Sequence, residues 1–138
     1  MNAATPKARV SVTRLFNLGN FEHLKMDVSI EVPPNEIGEF LHLLELKLNE
    51  LDPTPPCDDY ALDDARQWME MPGNLRMEHA KEHGFCNSND EADVAIWVSE
   101  KTAKSVNVIH QFDAWQANRH DAFQALNRLG ASISPPVV

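Results

Sequence analysis

The sequence predicts an α+β fold: an N-terminal β-hairpin packed on a long amphipathic helix, then short helices, a possible second strand pair and a C-terminal helix. Three observations carry this reading. Leu24, Met26, Val28, Ile30 and Val32 alternate with Lys25, Asp27, Ser29 and Glu31, the period of a strand buried on one face. Ile37, Phe40, Leu41, Leu44, Leu48 and Leu51 recur at helical spacing. The stretch from Asp113 to Leu129 also reads as a helix, and Gly130 is placed to end it. At 138 residues, 43% of them apolar, the chain suits one hydrophobic core. Residues 9–130 are expected to form a single domain between a flexible leader (1–8) and a loose tail (131–138).

Each element follows from local chemistry. Arg9 to Phe16 is rich in β-branched residues, and Asn17-Leu18-Gly19-Asn20 supplies a turn, giving a hairpin with the alternating strand. The apolar residues of the first strand change phase between Val12 and Leu15, which predicts a bulge near Arg14. Pro33-Pro34 ends the second strand, and Asn35 is a candidate cap for the helix from Glu36. Asp52-Pro53-Thr54-Pro55-Pro56 then makes a stiff connection. A helix over Leu62 to Met69 would start at Asp58 or Asp59. Another over Leu75 to His83 would be capped by Asn74 and closed by Gly84 and Phe85. From Ala92 to Phe112 two patterns compete. Val94, Ile96 and Val98, then Val106, Val108 and His110, alternate as strands would. Val94, Val98, Lys101, Ser105, Val108, Phe112, Trp115, Arg119, Ala122, Leu126 and Leu129 keep a three-and-four spacing suited to one long helix. The β-branched density and the polar Lys101 and Ser105 in the seam favour strands.

Charge narrows the function classes. Formal net charge is −9, which argues against a general duplex-DNA binder. Residues 1–25 nevertheless carry a net +3, leaving −12 on the remainder. No apolar run approaches the roughly 20 residues of a transmembrane helix, since Phe40 to Leu48 is broken by His42, Glu45 and Lys47. The start lacks a secretory apolar core, so a cytoplasmic location without membrane association is expected, with Cys57 and Cys86 as reduced thiols. Homo-oligomerisation is compatible with the sequence.

Few residues suggest chemistry. His79-Ala80-Lys81-Glu82-His83 places two imidazoles four residues apart on one helix face, as a Zn²⁺ site requires, with Cys86 and Cys57 as further candidate ligands. Histidines near a helix C-terminus also simply complement its dipole, and no cofactor is expected. His110 and His120 with Asp113 or Asp121 have acid-base residue types, each also common on surfaces. With no nucleophile elbow and too few glycines for a phosphate loop, the chain reads as non-enzymatic. Trp68, Trp97 and Trp115 lie in amphipathic segments as core or interface residues. Around the hairpin turn, Arg9, Arg14, Phe16, Asn17, Asn20, Phe21, His23 and Lys25 combine cations with two aromatics. That mixture would suit single-stranded nucleic acid, with rings stacked on bases.

The run Val10-Ser11-Val12-Thr13-Arg14-Leu15-Phe16-Asn17-Leu18-Gly19-Asn20-Phe21-Glu22, with the strand and Leu-rich helix after it, resembles the opening of small proteins of phages and other mobile elements. The resemblance spans about 40 residues and implies company near replication, recombination or host-takeover genes, with no activity attached. The leading expectation is a binding protein whose acidic body engages a basic, nucleic-acid-handling protein as an inhibitor or partial DNA mimic. A single-strand-binding accessory protein comes second and a small zinc module third.

Overall fold

The computed structural model describes residues 6–82 and 90–135. It is an α+β chain whose contacts divide it into two compact units: a sheet unit, up to Thr54 and again from Gln116, and a helical unit, Pro55–Trp115.

In the sheet unit, β1 (Ala8–Gly19) and β2 (Glu22–Val32) form the expected antiparallel hairpin. One face holds the alternating residues: Met26, Val28, Ile30 and Val32 are buried, with Val10 and Phe16 beside them from β1. The opposite face is polar and rich in hydroxyls. There Thr13 Oγ1 donates to the Asp27 carboxylate, and Arg9 donates to Ser29 Oγ at 2.8 Å. The bulge expected near Arg14 lies elsewhere. Arg14 pairs in register with Met26, and the shift falls between Asn17 and Gly19. The phase of β1 is kept by Arg14 and Phe16, which continue the Val10 and Val12 face, while Leu15 points outward and is exposed. The turn is two residues later than expected, centred on Asn20-Phe21.

A 3₁₀ turn at Pro34–Glu36 leads into α1 (Ile37–Glu50). Asn35 lies inside that turn and does not cap. The helix starts after Glu36 with no side-chain cap; the 3₁₀ turn before it is closed by the Pro33 carbonyl accepting from Glu36 N at 3.0 Å. Leu44, Leu48 and Leu51 are buried in the core with the hairpin face, and Phe40 packs on the same cluster. Ala122 and Leu126, from the end of the last helix, complete it. That helix closes in a Schellman motif: Gly130 has φ +76°, its N–H donates to Asn127 O, and Ala131 N donates to Leu126 O. The reversal sends the chain back along the sheet. Residues 132–134, expected in a loose tail, form β3 (Ser132–Ser134) antiparallel to β2, with Ile133 opposite Val28 and packed on the core. An apolar residue between two serines has the strand period, and its burial holds the segment.

In the helical unit, α2 (Asp59–Glu70) begins at Asp58, whose carboxylate accepts from Ala61 N at 2.7 Å. α3 (Gly73–Glu82) starts one residue before the expected Asn74 cap, because the Pro72 carbonyl accepts from Leu75 N and Arg76 N. The Gly84–Phe85 closure lies outside the described residues. Arg76 donates to the last carbonyls of α2, from Nε to Trp68 O and from a terminal nitrogen to Met69 O, both at 3.0 Å.

The principal correction concerns residues 92–112. There is no second strand pair: Glu91–Arg128 is one helix, α4, of 38 residues, about 57 Å long at 1.5 Å per residue. The three-and-four seam decides the outcome. Val94, Ser105, Ala122 and Leu126 are buried, and Val98, Lys101, Val108, Phe112, Trp115 and Arg119 are half-buried, whereas Ile96 and Val106 are exposed. The polar seam members do not break it. Lys101 pairs with Asp64 at 2.9 Å, and Arg119 donates to the Leu51 carbonyl at 3.3 Å, satisfying an orphan group at the end of α1.

Candidate functional site

Trp68 is the centre of the helical unit. It is buried with Leu62 and Ala65 along one side of α2. Its indole N–H donates to Thr102 Oγ1 at 3.0 Å, and Thr102 donates in turn to the Val98 carbonyl. Trp97 meets it edge-on at 5.9 Å between ring centroids, His79 at 6.3 Å, and the Lys101 ammonium lies 5.2 Å from its ring centre. These contacts tie α2 to α3 and to the first half of α4.

Between α2 and α4 runs a groove of about 410 Å³. Ala61, Ala65, Trp97 and Val108 supply the apolar part of its lining, and Tyr60, which also lines it, is 81% exposed. Asp58, Asp64 and Glu100 supply carboxylates at the rim, and Lys101 and Lys104 supply cations. Lys101 is already committed to Asp64. A second hollow of about 340 Å³ shares Tyr60, Asp64, Trp97 and Lys101 and extends to Met71 and His79. Pockets of this size, apolar with a few polar groups at the edge, suit a small ligand or the anchoring side chains of a peptide.

Most of the net charge of the chain lies in the unit that holds this groove. Residues 55–115 hold 12 of the 21 carboxylates against 5 of the 12 Lys and Arg, a net −7 out of −9. The basic end is correspondingly weaker than its first 25 residues suggest. The hairpin itself, Ala8 to Val32, carries Arg9, Arg14 and Lys25 against Glu22, Asp27 and Glu31, and is neutral.

The hairpin residues considered for nucleic-acid contact fall into separate places. Phe16 is 3% exposed and belongs to the core, so it offers no ring for stacking; its alternation with Val10 and Val12 marks it as inward-facing. The Arg14 guanidinium lies 5.1 Å from the centre of the Phe16 ring. Arg9 is opposite Glu31 and Lys25 opposite Leu15 on the polar face, and Asn17 Oδ1 accepts from Gly19 N. Phe21 is fully exposed at the tip, next to Asn20. Only one of the two aromatics is therefore presented to solvent, with no cationic cluster around it.

Of the candidate zinc ligands, His79 lies near the end of α3 against Trp68, and Cys57 is half-buried and free. His83 and Cys86 lie outside the described residues. Among the described residues no three His, Cys, Asp or Glu side chains converge as a metal site would require. His110, Asp113, His120 and Asp121 are all exposed along α4. No described helix is long and apolar enough to cross a membrane.

The groove was missed by sequence reasoning because it depends on Trp97 and Val108 lying on a helix. Once residues 91–115 are helical, Trp97, Lys101, Lys104, Ser105 and Val108 fall on one side at three-and-four spacing. Comparison with family models, with curated proteins and with solved structures finds nothing similar to this chain.

Proposed function

We propose that this chain is a non-enzymatic binding protein whose acidic helical unit takes a basic segment of a protein partner in the groove between α2 and α4. The observation that carries this reading is the coincidence of that apolar, aromatic-walled groove with the unit holding −7 of the net charge. An Arg or Lys stem would lie along Ala61 and Val108, its cationic head against the Tyr60 or Trp97 face and the Asp58 and Glu100 carboxylates. Long-range attraction from the surrounding carboxylates would speed the encounter. Proteins that handle nucleic acid present such basic surfaces, and the mobile-element resemblance of residues 10–22 supports a partner of that kind.

Calorimetric titration with an Arg- and Phe-containing basic peptide tests the reading. Binding is expected at low ionic strength, weakening as salt rises, and Glu100→Gln with Tyr60→Ala should weaken it about tenfold or more, as for loss of an interface anchor. No binding at low salt, or binding indifferent to both substitutions, contradicts it.

A further inference from the structure

The two edges of the sheet differ. β3 is three residues long and is followed at once by Pro135, which has no N–H to offer a further strand. β1, at the other edge, runs for 12 residues with no proline, and its register is unbroken as far as Asn17. Its backbone directions follow from the pairing. Gly19 and Glu22 flank the two-residue loop, so Leu24, Met26, Val28 and Ile30 share the phase of Glu22 and bond to β1, while Asp27 and Ser29 turn to Ser134 and Ser132 of β3. Ser11 and Thr13, opposite Ser29 and Asp27, therefore direct N–H and C=O away from the sheet, as do Arg9 and Leu15 in the same phase. Asn17 shares that phase, and its outward carbonyl accepts from Thr54 Oγ1 at 3.5 Å. From Arg9 to Leu15 the outward groups make no hydrogen bond among the described residues. The flank of α1 nearest this edge is bare as well. A hollow of about 250 Å³ between the two is lined by Val12, Thr13, Arg14, Glu45, Leu48 and Asn49. Leu41, one turn before Glu45 on that flank, is 38% exposed, as is Ile37 one turn earlier.

We propose that β1 pairs antiparallel with β1 of a second copy of the chain across a two-fold axis at Ser11, joining the two sheets into one. The free stretch is self-complementary about that residue. Ser11 meets Ser11, Val10 meets Val12 on the core side, and Arg9 meets Thr13 on the polar side, so no like charges are opposed. Arg14, the one charge on the core side of β1, falls at the end of the stretch, over the Phe16 ring and opposite Ala8. A lone extended peptide would satisfy the same backbone groups and leave Ile37 and Leu41 bare; a second copy brings its own α1 alongside and covers them. Charge does not oppose the approach, since the sheet unit carries only −2 of the net −9. None of these residues lines the α2–α4 groove, so this proposal and the role of the groove stand or fall separately.

Sedimentation velocity and amide hydrogen exchange on the full chain test the pairing. The wild type should form a dimer that stops at two copies. On dilution the Arg9, Ser11 and Thr13 amides should lose protection while those of Val10 and Val12 keep theirs. Ser11→Pro removes an outward N–H from each copy and none of the bonds to β2, and should weaken the dimer about tenfold or more, whereas Ser11→Ala, which keeps the N–H, should leave it unchanged. Leu41→Glu, at an exposed position on α1, should weaken the dimer without touching the strand. Matched unfolding temperatures of the dilute proteins establish that the variants fold. A wild type that remains monomeric at millimolar concentration overturns the proposal. So does assembly past two copies, a dimer whose Arg9, Ser11 and Thr13 amides exchange as in the monomer, or one indifferent to both Ser11→Pro and Leu41→Glu.

Discussion

The sheet unit and the helical unit use their residues in opposite ways. In the sheet unit a two-sided pattern is exploited: β1, β2 and β3 send one side into a cluster closed by Leu44, Leu48, Leu51, Ala122 and Leu126, and the other side is mostly polar. In the helical unit the buried apolar residues among those described are fewer, namely Leu62, Ala65, Trp68, Ala80 and Val94, and order comes from one indole with its hydrogen bond, edge-on rings and a nearby cation. A unit built around a large aromatic hub leaves room beside it, and the groove occupies that room. The difference teaches that the groove lies in the unit whose order depends on one aromatic hub rather than on a two-sided apolar cluster.

Substitutions sharpen that contrast. The largest effect is expected for Trp68→Ala, about 3–5 kcal/mol of destabilisation, because it removes the hub and leaves the Thr102 hydroxyl without its donor. Urea unfolding followed by tryptophan fluorescence reads it well, since all three tryptophans lie in the helical unit. A cost below 1 kcal/mol would contradict the hub. Leu48→Ala should cost about 2–5 kcal/mol in the sheet unit, measured by hydrogen exchange of the β2 amides, as the residue is fully enclosed between hairpin and helix. Arg76→Ala should cost about 1–3 kcal/mol by freeing the Trp68 and Met69 carbonyls at the end of α2. The smallest effect has the opposite sign. Phe21→Gly should stabilise the fold by about 1 kcal/mol, since it relieves an L-residue at positive φ and removes no packing. A destabilised Phe21→Gly would mean that the ring serves the fold.

What was legible in the sequence follows the same division. β2 announces itself because its five apolar residues alternate without interruption, and α1 because its stripe is continuous. Asp58 and Gly130 act at their helix ends as their chemistry suggests. Residues 92–112 misled because Val94, Val98 and Val108 satisfy both periods locally. Only the long-range persistence of the seam, through Lys101 and Ser105 to Ala122 and Leu126, separates helix from strand, and those polar members have structural places visible only in the folded unit. Phe16 was misplaced because Leu15 beside it looks like a phase change, although Arg14 and Phe16 keep the inward face and the guanidinium lies over the ring. The groove was invisible for the same reason as α4: it needs residues from two helices whose separation in sequence is about 40 positions.

The central proposal, that recognition lies in the groove of the helical unit, is tested most directly by mapping a basic peptide onto the chain by NMR. With the three indole N–H signals assigned, the Trp97 signal and the amides of Tyr60, Ala61 and Lys104 should shift on addition of peptide. The β1 and β2 amides from Ala8 to Val12 and from Val28 to Val32 should stay still. Shifts centred on the sheet, with Trp97 unmoved, would contradict the account.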